Sequence, residues 1–554
     1  MLRVIAKLLT ILFFINPTYI TAETASGYAY IDTNNNALLD EGEQGIAKVA
    51  VSNGRDVVQT DEKGFYTLPV EPGDIIFITK PANYETPVSE GMIRRFYYIH
   101  APEGTPKELD LMYPGIEPTG PLPEHVNFSL RPKQEPDTFK VIWFADTQPQ
   151  SFAELEFYRD DVLNELAGTT AAFGITAGDV MFDDMSLFPR YIELTAQLGI
   201  PWHNVPGNHE LNFKSPDDKF SLETFKRYFG PSYYSFDYAQ THFVILDNVY
   251  YFGNDNAKES PDPRGRGKYK GFLDADQLQW LEQDLKYVSE DKLIVFAMHV
   301  PLNYYVDPER ESVVLQNRED LFKLLAGRKY LFSAAGHTHV AEHHYFGKDR
   351  GFNSTSKFHH QVLSTVSGSW WSGPMDERGI PVTEQRDGTP NGYYIMTVKG
   401  NNYSMRFKAA RRPADFQMRI TLDTAFHYFR DDAQRYYTHG SLINSPILLD
   451  QLPSAELYVN LFNGGENSTV EYSINGYETV KMKRVFRHDP YTNDLFIHHR
   501  AAIKSWVKPQ PSPHLWVAKL PQDLKPGVYT IRVKATDEYG EVHQSSKIIE
   551  LFGR

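Results

Sequence analysis

The sequence predicts a multi-domain α/β protein, with a central unit of alternating strands and helices between two all-β sandwiches. Three observations carry that prediction. Short runs of alternating hydrophobicity, separated by turn residues, fill 24–130 and return after 410. Between about 139 and 410, apolar runs of strand length alternate with runs of helical spacing. Five of those apolar runs end in oxygen or imidazole side chains.

Taken in order, residues 1–22 carry Arg3 and Lys7, an apolar run over 8–15, and Ile20-Thr21-Ala22 before Glu23. That is the layout of a secretory signal peptide cut after Ala22, although Ile20 is larger than the small residue preferred there. The run is far short of the ~20 residues that span a bilayer. The expectation is an exported protein, periplasmic or secreted, with no transmembrane segment in the mature chain. Cysteine is absent, which excludes disulfides, thiolate ligands and a cysteine nucleophile.

Residues 23–131 predict an N-terminal β-sandwich with strands over 27–31, 49–52, 57–60, 64–68 and 75–78. Its loop 32–43 places Asp32, Asn34, Asn36, Asp40 and Glu43 at positions 1, 3, 5, 9 and 12 of an EF-hand-like calcium loop. Ala37 stands where that loop wants glycine, and an Asx-rich turn that satisfies its own backbone is the alternative reading. The proline-rich stretch 114–136 reads as a linker with one strand over 126–130.

Within 132–410, a strand over 141–145 ends at Asp146 and is followed by a helix over 153–166. A strand over 171–177, a helix over 187–198 and a strand over 202–205 come next. A hairpin pairs 233–238 with 242–246, and a helix over 274–287 carries Leu278, Leu281 and Leu285 on one face. Strands over 293–297 and 330–334 close the series. Residues 411–554 return to β patterning at 456–462, 470–474, 528–534 and 546–551, which predicts a C-terminal immunoglobulin-like sandwich.

The 554-residue chain is 41% hydrophobic and 23% charged, with a net charge of −15. That balance argues against a nucleic-acid polymer as partner, since phosphate-backbone binding needs clustered Lys and Arg. A small anionic ester remains open, because bound metals can supply positive charge locally.

The chemistry lies at the strand ends: Asp146-Thr147-Gln148, Gly178-Asp179 with Asp183, Gly207-Asn208-His209-Glu210, His299, and Gly336-His337-Thr338-His339. A carboxylate is costly inside a buried strand, but at its end it can face a crevice and hold a cation. Carboxylate, amide and imidazole groups suit zinc, manganese or iron.

This ordered set resembles the calcineurin-like metallophosphoesterases over about 139–410. The stretch 27–68 also resembles β-sandwich modules that precede some exported bacterial phosphoesterases. The resemblance implies an α/β/β/α sandwich and two divalent ions, with manganese, iron, zinc and magnesium all open. It puts Asp146, Gln148, Asp179 and His339 around one ion, and Asp179, Asn208, His299 and His337 around the other. A water shared by the ions, acidified to hydroxide, would attack phosphorus in line. His209 would stabilise or protonate the leaving oxygen, while Asp183 and Glu210 would orient histidines. Gln148 departs from the family's usual histidine, which favours a looser site or a harder metal.

The implied substrate is a small phosphate ester. Hydrolysis of monoesters is the first reading, with diesters the near alternative. A catalytically weak surface or glycan-binding protein is the rival from another class. Arg264, Arg266, Lys268 and Lys270 read as a solvated charge run or as contacts to an anionic substrate. Trp370 and Trp371 read equally as core or as a pocket wall. His343, His344, His359 and His360 fall on strands where neighbours point to opposite faces, so surface or core roles are expected.

Overall fold

The structure, a computed structural model, describes residues 23–254, 265–423 and 447–553, so the leader at 1–22 and Arg264 lie outside the described residues. The centre is two facing sheets. One has five strands in the order Trp202–Asn204, Phe173–Thr176, Thr138–Phe144, Gly392–Lys399, Asn402–Ala409. The other has six: Tyr234–Tyr238, Thr241–Ile245, Leu293–Ala297, Leu331–Ala335, Phe358–Val362, Glu342–Phe346.

Period-two alternation sets the layers. On the strand Thr138–Phe144, Val141 and Trp143 share a core with Phe243 and Val295 of the second sheet, while Ile142 and Phe144 pack under Leu155, Tyr158 and Tyr191 of the outer helices. Trp280 and Leu281 of the helix Ala275–Leu285 join the core from the far side. An α/β/β/α sandwich results.

The helix read over 153–166 is interrupted. Phe152–Tyr158 passes into a π-helical turn, Arg159–Leu163, before Asn164–Leu166. That turn carries Asp161, a buried carboxylate that pairs with Arg378 and accepts from Asn391 Nδ2 at 2.8 Å.

The N-terminal part forms two four-stranded sheets, Phe65–Val70, Glu23–Ile31, Phe128–Pro132, Tyr84–Glu85 and Val57–Gln59, Ala50–Ser52, Ile75–Ile78, Tyr97–Ile99. The strand within the proline-rich stretch belongs to the first sheet, where Phe128 pairs in parallel with Ala29. In the loop 32–43, Asp32 accepts from the amides of Asn35 and Ala37, Asn36 from Leu38, and Glu43 from Thr33 and Asp40. Asp40 accepts from the side chains of Asn34 and Asn36.

Beyond 411 a second pair of sheets encloses Leu457, Val459, Trp516, Ile531 and Val533. A helix the sequence reading left out, Pro490–His498, starts there with Asp489 as its cap and proline in its first turn. His343, His344, His359 and His360 are all buried, because the Glu342–Phe346 and Phe358–Val362 strands are covered on both faces. Covering one face, Asn463 meets His343 Nε2 at 3.2 Å and Tyr539 donates to Gln361 at 2.8 Å.

Candidate metal centre

The five motifs sit at the carboxyl ends of parallel strands, where the two sheets leave a crevice. Asp146, Gln148, Asp179, His337 and His339 adopt φ of 48°, 39°, 50°, 77° and 55°, a left-handed region that side-chain-bearing residues seldom enter. Strain is thus concentrated where the chain turns its polar side chains inward. Glycines make room for the carboxylates: a Cβ on Gly207 would lie 2.2 Å from Asp179 Oδ1, and one on Gly336 would lie 2.2 Å from Asp146 Oδ2.

Backbone carbonyls orient the imidazoles. His299 Nδ1 donates to Ala177 O at 3.0 Å, His337 Nε2 to Ser312 O at 2.8 Å, and His339 Nδ1 to Gly368 O at 3.1 Å. Each ring therefore turns its other nitrogen to the crevice, the arrangement that fixes the tautomer of a metal-ligating histidine. His299 Nε2 then lies 3.1 Å from Asp179 Oδ1, 3.0 Å from His337 Nδ1 and 3.3 Å from Asn208 Oδ1.

Three acceptors thus crowd one hydrogen, and the position calls for positive charge. Burial lowers the pKa of His299, but Asp179 outweighs it and raises it to about 9. Burial pushes Asp179 up, and His299, His209 and His337 together hold it well below the carboxylate range. His337 is driven down to about 3 by burial and by the charge on His299. A divalent cation meets the same demand as that proton, with more ligands.

On the other side of Asp179, Gln148 Nε2 donates to Asp179 Oδ2 at 2.7 Å, and Gln148 Oε1 is buried without a hydrogen-bond partner. Asp146 accepts from the His337 amide at 3.0 Å and stands 3.5 Å from His339 Nε2. The donor set fits divalent metal: one bare amide oxygen, inward imidazole nitrogens and two buried carboxylates.

His209 Nδ1 meets Asp183 Oδ1 at 2.5 Å, and the His209 amide donates to Asp179 Oδ1 at 3.1 Å. Burial lowers the pKa of His209, partly offset by Asp179. Glu210 does not orient a histidine: it accepts from the amides of Met181 and Gly207 at 2.9 and 2.8 Å and staples two motif loops together.

Of the basic loop, Arg266 lies over the rings of Phe213 and Tyr269 at 5.6 and 5.4 Å, and Tyr269 meets His337 edge-on. Lys270 sits over Phe272 at 4.0 Å. Trp370 stacks on His339 with centroids 3.9 Å apart, whereas Trp371 is buried and donates to Thr147 O at 2.7 Å.

Facing sheets with carboxylates and imidazoles at their strand ends define a metallohydrolase. Family models match along the chain: the N terminal of calcineurin-like phosphoesterase over 33–113, calcineurin-like phosphoesterase over 139–341, and its C terminal over 360–543. The chain belongs to the calcineurin-like phosphoesterases, and it is a hydrolase of phosphate ester bonds. It is 22% identical over 278 residues, 47% of its length and 94% of the relative's, to a protein of Arcobacter nitrofigilis named probable glycerophosphodiester phosphodiesterase GpdQ. Among solved structures, purple acid phosphatase PPD1 from yellow lupin seeds is similar at 13% identity and a TM-score of 0.35, covering 66% of this chain and 67% of that one.

Proposed function

We propose that this protein is an exported, dinuclear metal-dependent phosphoesterase that hydrolyses small phosphate monoesters. The observation that carries the reading is the gathering of Asp179 Oδ1, Asn208 Oδ1 and His337 Nδ1 within 3.3 Å of His299 Nε2. In this reading those four residues hold one ion, and Asp146, Gln148, Asp179 and His339 hold the other. Bound divalent ions supply positive charge for the phosphoryl oxygens and acidity for water.

The chain's own residues do the rest. The two oxygens of Asp179 face separate groups, His299 and Gln148, which suits a bridge between two ions. Backbone carbonyls keep the imidazoles in one tautomer, so their orientation is set before substrate arrives. Protonated on both ring nitrogens, a form that burial disfavours and the carboxylates of Asp183 and Asp179 support, His209 gives its Nε2 proton to the leaving oxygen while Asp183 holds the ring at Nδ1. Export rests on the leader-like 1–22 and the lack of cysteine. No helix among the described residues is long and apolar enough to cross a membrane. A structural calcium in the loop 32–43 and the exclusion of nucleic-acid polymers belong to the same reading.

Phosphodiester hydrolysis is the second reading, favoured by the name of the Arcobacter relative. Turnover of 4-nitrophenyl phosphate against bis(4-nitrophenyl) phosphate, with manganese, iron, zinc or magnesium restored after chelation, separates the two. Monoester preference supports the proposal, and diester preference replaces it with the second reading.

A further inference from the structure

Beside His209 the crevice wall is aromatic, and its outermost ring comes from the C-terminal part of the chain. Phe182 lies face to face with His209, centroids 4.5 Å apart and planes at 25°. Phe182 also stacks with Trp506, at 6.2 Å and 23°. Three nearly parallel rings thus run from the crevice to the rim, where Trp506 is 51% exposed.

The backbone that presents Trp506 is held on several sides. Lys504 Nζ pairs with Glu154 at 2.9 Å, the Gly373 amide donates to Ala502 O at 3.0 Å, and Arg500 donates to the carbonyl of Val507 at 2.9 Å. Ile503 and Val507 are buried with Leu495 and Phe496 against Trp370, which itself covers His339. A large ring kept half in water on a backbone this well anchored is a surface positioned for a ligand.

We propose that Phe182 and Trp506 form the leaving-group subsite, and that it takes phosphate esters whose leaving group carries a planar ring, aryl or nucleobase. The inference rests on the phosphoesterase reading and names the substrate class of that site. A leaving oxygen that takes its proton from His209 carries its substituent past Phe182 and out towards Trp506. The faces of Phe182 are taken by His209 and Trp506, so the planar substituent packs by offset stacking on the exposed part of Trp506. An aliphatic substituent gains less there, since it has no ring to stack on the exposed part of Trp506.

The test compares kcat/KM for phenyl phosphate and for glycerol 3-phosphate in the wild type, Trp506→Ala and Trp506→Phe. Trp506→Ala is expected to lower the aryl-to-alkyl ratio about tenfold, mostly through KM, and Trp506→Phe to retain most of it. An unchanged ratio in Trp506→Ala overturns the subsite. Preserved far-ultraviolet circular dichroism separates either result from misfolding. Should the wild type turn over neither ester, the phosphoesterase reading fails, and calorimetry decides the subsite separately. Phenylphosphonate binding weakened about tenfold by Trp506→Ala, with methylphosphonate as reference, supports it, and equal binding overturns it.

Discussion

Replacing His209 by glutamine keeps a polar side chain beside Asp183 but removes the transferable proton. The imidazole is held by Asp183 at 2.5 Å and by the face of Phe182, and the glutamine amide can keep a hydrogen bond to Asp183, so the fold is expected to survive. Losing a positioned proton donor costs ~10²–10⁴ in rate, or roughly 3–5 kcal/mol of barrier. That full cost is expected on glycerol 3-phosphate, whose alkoxide needs a proton to depart. On 4-nitrophenyl phosphate the phenolate leaves unaided, and the loss shrinks to about tenfold or less. Asp183→Asn leaves the ring in place without its anion and is expected to cost about 10–100-fold on the alkyl ester. The assay is kcat/KM on both esters at equal metal content. Equal losses on the two esters would refute the role given to His209.

Two further predictions concern stability. Glu135 accepts from Lys80 Nζ, Asn83 N and Ala239 N, each at 2.8 Å, tying the N-terminal sandwich to the central hairpin. Glu135→Ala strands a buried ammonium whose pKa burial already lowers to about 8, and is expected to cost ~3–5 kcal/mol in urea unfolding; a loss under ~1 kcal/mol counts against it. His242 lies between Asp284 and Asp237, which outweigh burial and raise its pKa to about 9. A raised pKa stabilises fully below the ordinary value near 6.5 and fades as pH rises through 9, so the wild type is expected to lose about 1.5 kcal/mol from this group between about pH 6.5 and 8. Because Lys80 acts with the opposite sign from about pH 8 upward, the comparison with His242→Gln is made below that point. Parallel pH profiles for the two proteins would reject the assignment.

Much of the site is legible in the sequence because its chemistry is local: a strand that ends in Gly178-Asp179 or Gly336-His337 announces a polar group where the chain leaves the core. The layers follow from alternation along strands such as Thr138–Phe144. What local pattern does not carry is partnership across the chain. Glu210 reads as a histidine orienter, yet its oxygens are taken by two backbone amides that only the folded loops bring within reach. His343 and His359 look half-exposed by strand periodicity until residues such as Asn463 and Tyr539 cover their sheet. The hairpin of Gly392–Lys399 and Asn402–Ala409 has ordinary β spacing, and nothing in that spacing says that it completes the catalytic sheet. Trp506 sits in no motif, and only the packing of its segment carries it to Phe182.

The most direct test of the central claim measures metal content and phosphate-ester turnover on the same sample. The expected result is that chelation removes both, that turnover returns as two equivalents of a divalent metal are restored, and that Asp179→Asn recovers neither full occupancy nor activity. Turnover that persists in the metal-stripped protein, or an Asp179→Asn variant as active as the wild type, would contradict it.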